Sequence, residues 1–202
     1  MEKINRNDDE NNMEESVEPK KSDRYSEEFY YKILNKNRYI LLFDEINNLS
    51  ADVICSKLRA MDYIDKKSPI HLETNSPGGY VTYGLSIIDT INAINAPVYT
   101  IISGEVASMA AMISIVGKKR FITPNGMWMQ HSTQDLLSGN VSNIKDQAGY
   151  LVKLEKNMNE ILKKHTKLNH RQLTQIRNGQ LWLFAEECVK LGIVDKILYN
   201  KK

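Results

Sequence analysis

A serine among small residues, a histidine closing an apolar run and a pair of glycines after a breaker cluster are the features of this sequence best able to do chemistry. Ser108 lies in Gly104-Glu105-Val106-Ala107-Ser108-Met109-Ala110-Ala111, between an expected strand and an expected helix. Small neighbours let a substrate backbone come close, and a serine in the first turn of a helix has free backbone N–H groups near its oxygen. Acyl transfer needs that pairing of a hydroxyl nucleophile with an oxyanion site. Taken alone, Ser108 is more simply a helix cap. His131, in Trp128-Met129-Gln130-His131-Ser132, ends a strand and faces a loop, and histidine is the side chain best suited to taking a serine proton near neutral pH. Alone it reads as a hydrogen-bonded, partly buried histidine. In Asn75-Ser76-Pro77-Gly78-Gly79 the paired glycines permit close backbone approach and can aim an N–H at a carbonyl oxygen. Alone they mark a tight turn.

The elements that must position these groups alternate along the chain. Arg38–Phe43 is a short apolar run, as expected for a strand buried on both faces. Asn48-Leu49-Ser50 then supplies a cap for a helix carrying Val53, Leu58, Met61 and Ile64. A strand over Ile70–Thr74 runs into the breaker cluster, and Val81–Ile94 is helical with Leu85, Ile88, Ile91 and Ile94 on one face. Val98–Ile102 is a third strand, Ser108–Val116 a small-residue helix, and Arg120–Ile122 and Met127–Met129 are short strands. Apolar residues recurring from Ile144 through Leu151, Leu154, Met158 and Ile161 predict a long amphipathic helix reaching His165. A shorter helix over Ala185–Leu191, a stop at Gly192 and a strand at Ile193-Val194 complete the pattern. Repeated βα units predict an α/β domain with a mostly parallel sheet and right-handed crossovers. The glycine pair falls at a strand end, where ligands collect in such sheets.

Composition narrows the function classes. Hydrophobic residues at 42% and charged residues at 26% of 202 describe a globular chain with one substantial core. No run approaches the ~18 apolar residues of a membrane span, and no secretory signal is expected. Cys55 and Cys188 lack metal-ligand or CxxC spacing, so both read as buried thiols in a reducing compartment, the cytoplasm. No two of the four histidines share a helical face at ligand spacing, and no metal site is expected. Residues 1–28 hold ten acids against five bases, −5, which leaves fifteen acids against twenty-two bases, +7, for residues 29–202. The positive excess is spread over Lys118, Lys119, Arg120, Lys163, Lys164 and others without interleaved aromatics, which argues against nucleic acid. Residues 1–28 are too polar to offset the entropy of ordering and are expected to form a disordered acidic tail before the domain at 29–202.

Taken together, Asn75-Ser76-Pro77-Gly78-Gly79, the Gly104 to Ala110 stretch, Arg120-Phe121 with Pro124-Asn125, His131, Ala185-Glu186-Glu187 and Gly192-Ile193-Val194-Asp195 resemble the ClpP family, the proteolytic subunits of ATP-dependent Clp proteases. The motifs occur in unbroken order from about Tyr31 to Leu198. The resemblance implies the ClpP/crotonase-like superfold with a long protruding helix, and a serine peptidase needing no cofactor. By position it makes Ser108 the nucleophile, His131 the general base, and the N–H groups of Gly79 and Met109 the oxyanion hole. It further implies unfolded polypeptides as substrates, an AAA+ unfoldase ATPase as partner, and a homo-oligomer of stacked heptameric rings joined through the Ile144–His165 helix.

The sequence departs from the family at one catalytic position. Aligning Trp182 and Ala185-Glu186-Glu187 places Gln180 where the family has its catalytic aspartate. An amide oxygen can orient the imidazole but cannot supply negative charge, and loss of that charge costs ~10⁴ in kcat in a serine protease with Asp changed to Asn. A weakened triad, a dyad and an inactive subunit are all open, with Asp135 or Glu105 as possible stand-ins. Arg177-Asn178-Gly179-Gln180 also lacks the family's acid–arginine–acid run, which leaves one ring or two open. A non-catalytic subunit of a mixed ring is the alternative function. A crotonase-type acyl-CoA enzyme shares the superfold, but Ser108 and His131 speak against it.

Overall fold

The computed structural model describes residues 27–134 and 136–198. The tail expected over residues 1–28 lies outside them except for Glu27 and Glu28, which open the first helix, and Asp135 lies outside them entirely. The elements are α1 (Glu27–Lys36), β1 (Tyr39–Leu42), α2 (Asn48–Ile64), β2 (Ile70–Ser76), α3 (Val81–Ala93), β3 (Val98–Ala107) and α4 (Ser108–Ser114), followed by β4 (Lys119–Ile122), β5 (Met127–His131), α5 (Val141–His165), α6 (His170–Asn178), β6 (Gln180–Phe184), α7 (Ala185–Lys190) and β7 (Lys196–Ile197). Strands β1-β2-β3-β4-β7 form a parallel path, from which β5 branches parallel to β3 and carries β6 antiparallel on its other edge. Alternation of βα units thus gives the mixed α/β fold with a long helix that the sequence predicts.

Strand β3 does the most to position the site. One edge pairs with β2 on both sides of a register shift, while the other pairs first with β4 and then with β5. The change of partner falls at Gly104, whose φ of 70° suits glycine, and a Cβ there would sit 2.8 Å from Asn75 Oδ1. Asn75 Oδ1 instead accepts the Glu105 N–H at 3.1 Å, so the bulged ladder keeps a bond where the β2 register shifts.

The core sits between the sheet and helices α2, α3 and α4. Helix α4 is buried from Met109 to Ser114, the all-round apolar pattern of a core helix. Helix α5 buries only Met158 and Leu162, so its N-terminal part projects with Val141, Tyr150 and Val152 exposed.

Several expectations need correction. The α2 cap is Asn47, whose side chain accepts from Ser50 N while Ser50 Oγ accepts from Asn47 N. Helix α6 was not predicted. Its sequence is short and polar, announced only by the Asn169/Gln172 capping box and by Leu173 and Ile176 on one face. The strand expected at Ile193-Val194 is a buried turn instead: both N–H groups are taken by Cys188 O at 2.8 and 3.3 Å, which caps α7, and pairing begins at Lys196. His170 is exposed, as expected of a surface residue, but His165 is half-buried. Both cysteines are buried and unpaired by disulfides.

Two side chains tie distant segments together. Arg120 pairs with Asp195 at 2.8 Å and donates to His165 O and Gly192 O, fastening β4 to the ends of α5 and α7. Arg38 donates to the carbonyls of Met61, Asp65, Ser68 and Pro69 at 2.9–3.2 Å, closing the α2–β2 connection. Charged donors contribute more than neutral ones, and Arg38→Ala is expected to lower unfolding free energy by about 2–4 kcal/mol in urea titration. His71, stacked on Tyr39 at 4.6 Å, is held below the usual histidine value by burial and then by the Arg38 charge, and burial followed by Lys164 and Arg120 does the same to His165. The unfolded chain therefore binds more protons just below pH 6.5, and stability falls as pH drops through that region. Urea midpoints at pH 7.5 and 5.5 should show the loss, and His71→Gln should reduce it.

Candidate active site

Ala107 pairs with Met129 in the parallel β3–β5 ladder. Ser108 is one residue beyond the first and His131 two beyond the second, so both emerge at the C-terminal ends of neighbouring strands about 4.8 Å apart. Trp128, fully buried, donates to Ala111 O at 3.3 Å and fixes β5 against α4. The strand-to-helix junction is sharp: Ala107 is extended and Ser108 turns to φ 53°. A non-glycine residue in the left-handed region costs ~1–2 kcal/mol.

The glycine loop packs directly on this junction. A Cβ on Gly78 would lie 2.7 Å from Ala107 O, 2.8 Å from Ser108 Cβ and 2.9 Å from Met109 N, and φ at Gly78 is 98°. Position 78 must be glycine on both counts. The loop is held from behind by Ser76 Oγ, which donates to Asp44 O at 2.6 Å and accepts from Gly78 N at 3.2 Å. Ile46 donates to Gly78 O and accepts from Tyr80 N, the bridge pattern that turns the N–H of Gly79 away from Ile46. Met109 is seated by α3, where Gly84 leaves the space its side chain fills.

Ser108, Met109, Gly79 and His131 line one cavity of about 230 Å³, with Pro77, Val81 and Met158 among its walls. Four of the five residues singled out by sequence are thus brought together. Gln180 is the fifth. It lies directly opposite His131 in the β5–β6 ladder, yet it is not among the lining residues, and its Oε1 accepts from Trp182 Nε1 at 3.0 Å. Trp182 is half exposed and bonded to Gln180, whereas Trp128 is in the core. Glu105 contributes its backbone to the Asn75 bond.

Sequence reasoning missed the partner of the imidazole. His131 Nδ1 is 2.6 Å from the carbonyl oxygen of Ser132. A carbonyl only accepts, so Nδ1 carries the hydrogen and Nε2 is left as the acceptor. Ser132 is in turn held by α6, through its N–H to Ile176 O at 3.1 Å. No side chain encodes this contact, and the helix that supports it is marked only by its Asn169/Gln172 capping box and the Leu173 and Ile176 pair.

An extended parallel sheet with a strained serine at a strand–helix junction, a histidine on the adjacent strand and a glycine loop beside both defines an α/β fold of the ClpP type. The Clp protease family model matches residues 21–201. The chain is 34% identical over 174 residues, 85% of its length, to the ATP-dependent Clp protease proteolytic subunit of Ligilactobacillus salivarius (strain UCC118), 88% of which is covered. The chain belongs to the Clp protease family.

Gly78→Ala tests the packing of the loop on the junction. The substitution is expected to displace the loop and with it the Gly79 N–H, and where a site uses such a donor on an oxyanion its loss costs about 10²–10³ in kcat. A loss of that size in hydrolysis of a fluorogenic peptide is expected, with the fold retained by circular dichroism.

Proposed function

We propose that this chain is a serine endopeptidase that hydrolyses peptide bonds of unfolded polypeptides through an acyl-enzyme. The observation that carries the reading is the single cavity shared by the strained Ser108, His131, and the backbone of Gly79 and Met109. His131 Nε2 takes the proton as Ser108 Oγ attacks the substrate carbonyl, and the resulting oxyanion is met by the N–H groups of Gly79 and Met109. The imidazolium then gives its proton to the departing amine, and a water molecule repeats the sequence to free the acid and restore the serine. The Ser132 carbonyl keeps the hydrogen on Nδ1 throughout, the orienting task a third residue normally performs.

Gln180 takes the third position without a negative charge. Its Oε1 has a second lone pair beyond the one Trp182 uses, so the amide can serve His131 from the facing strand after a side-chain rotation. Gln180→Asp supplies the missing charge and is expected to raise kcat by a factor between ~10 and ~10⁴. An unchanged rate assigns the orienting role to the Ser132 carbonyl alone.

The relative's description as a subunit of an ATP-dependent protease supports an AAA+ unfoldase ATPase as partner and assembly into a homo-oligomer. Heptameric rings, single or stacked, are the assembly we propose. The projecting half of α5 and the exposed Tyr63 and Ile64 at the end of α2 offer apolar surface for such contacts. The described residues contain no helix long and apolar enough to cross a membrane, and the buried free thiols fit the reducing cytoplasm.

A second reading, a non-catalytic subunit of a mixed ring, is favoured by the Gln180 amide being engaged with Trp182 rather than His131. Fluorophosphonate labelling separates the two. The peptidase is labelled at Ser108, the Ser108→Ala protein is not, and absence of label on the assembled wild-type chain supports the structural subunit.

A further inference from the structure

The cavity holding Ser108 adjoins a larger one of about 380 Å³, and Gly79, Val81, Thr133 and Gln134 line both. The shared walls put the larger compartment beside a carbonyl held at Ser108, where a neighbouring side chain of a bound polypeptide can enter. Its walls are mixed in a way that narrows what fits. Val81, Leu151 and Leu154 are apolar, Tyr80 and Tyr150 present rings that are 63% and 52% exposed, and Glu45 is the charged group among the described lining residues. Glu45 has its backbone N–H on Asp44 Oδ1, and its backbone carbonyl accepts from Ser50 Oγ at the start of α2. Both bonds hold the main chain that carries the carboxylate.

We infer that this compartment is a subsite for a long basic side chain, arginine or lysine, beside the scissile bond, with Glu45 as the specificity-determining residue. The inference rests on the reading of Ser108 as nucleophile. An aliphatic stem of three or four methylenes matches the Val81, Leu151 and Leu154 walls while its charged end stays at the wet rim. The carboxylate attracts that end, and tyrosine faces add a cation–π attraction of the kind arginine uses most. An acidic side chain meets repulsion from Glu45 and gains nothing from the rings. Because the carboxylate is solvent-exposed, the selection is modest and screened by salt.

Binding separates this inference from the chemistry. The full-length Ser108→Ala protein is titrated against fluorescein-labelled peptides that share an apolar ten-residue sequence and carry Arg, Gln or Glu at one central position, with anisotropy as readout. The Arg peptide is expected to bind up to about fivefold tighter than the Gln peptide, and the Glu peptide weaker than both. Adding Glu45→Gln should bring the Arg/Gln ratio to one without weakening the Gln peptide, and Glu45→Lys should invert the order. Equal affinities in the Glu45 protein, a ratio that survives Glu45→Gln, or no binding of any peptide overturns the inference. Hydrolysis of the all-apolar peptide by the Ser108 protein reports on the nucleophile independently of this ratio.

Discussion

The contact between the Gly78 backbone and the Ala107–Met109 junction is the constraint on which the rest of the site depends. Three backbone or Cβ atoms of the junction occupy the space a side chain at 78 would need. The glycine loop is thereby pressed against the residue that carries the hydroxyl and the residue that carries a second N–H. Everything around it keeps this contact in place. Ser76 ties the loop to Asp44, Ile46 bonds to the residues on either side of Gly79, and Gly84 makes room for Met109. Ser108 accepts a left-handed backbone because packing over-determines it, in the manner of strained residues at functional sites.

Pairing and packing likewise place the histidine. Register alone, Ala107 against Met129, brings His131 to the strand end beside Ser108, and the buried Trp128 prevents β5 from sliding. What the sequence lacks at the third position is partly met by backbone. The Ser132 carbonyl fixes the imidazole tautomer but carries only a partial charge, so it orients His131 better than it stabilises the imidazolium. On the peptidase reading proposed above, the missing charge predicts slow turnover, and the Gln180 amide is engaged by Trp182 on its own strand.

The parts of the site built from local chemistry were legible. Paired glycines, a serine among alanines and a histidine closing an apolar run each announce a backbone or side-chain requirement within a few residues. Other features depend on pairing across the fold and leave little trace. Strand β3 was expected to stop near Ile102, yet it continues to Ala107 because Asn75 bridges the bulge at Gly104 and β5 supplies a new partner. Helix α6 is short and polar, its signals limited to the Asn169/Gln172 capping box and the Leu173 and Ile176 pair, although its Ile176 carbonyl supports the Ser132 turn. Ile193 and Val194 look like a strand by composition, but the Cys188 carbonyl claims both N–H groups and leaves none for a ladder.

A crystal structure of the chain with a peptide boronate would examine the central claim most directly. The account predicts a tetrahedral boron bonded to Ser108 Oγ, with one boron oxygen within hydrogen-bonding distance of both Gly79 N and Met109 N and His131 Nε2 facing the other side. Boron left unattached to Ser108, or an oxygen turned to solvent with the two N–H groups unused, would contradict it.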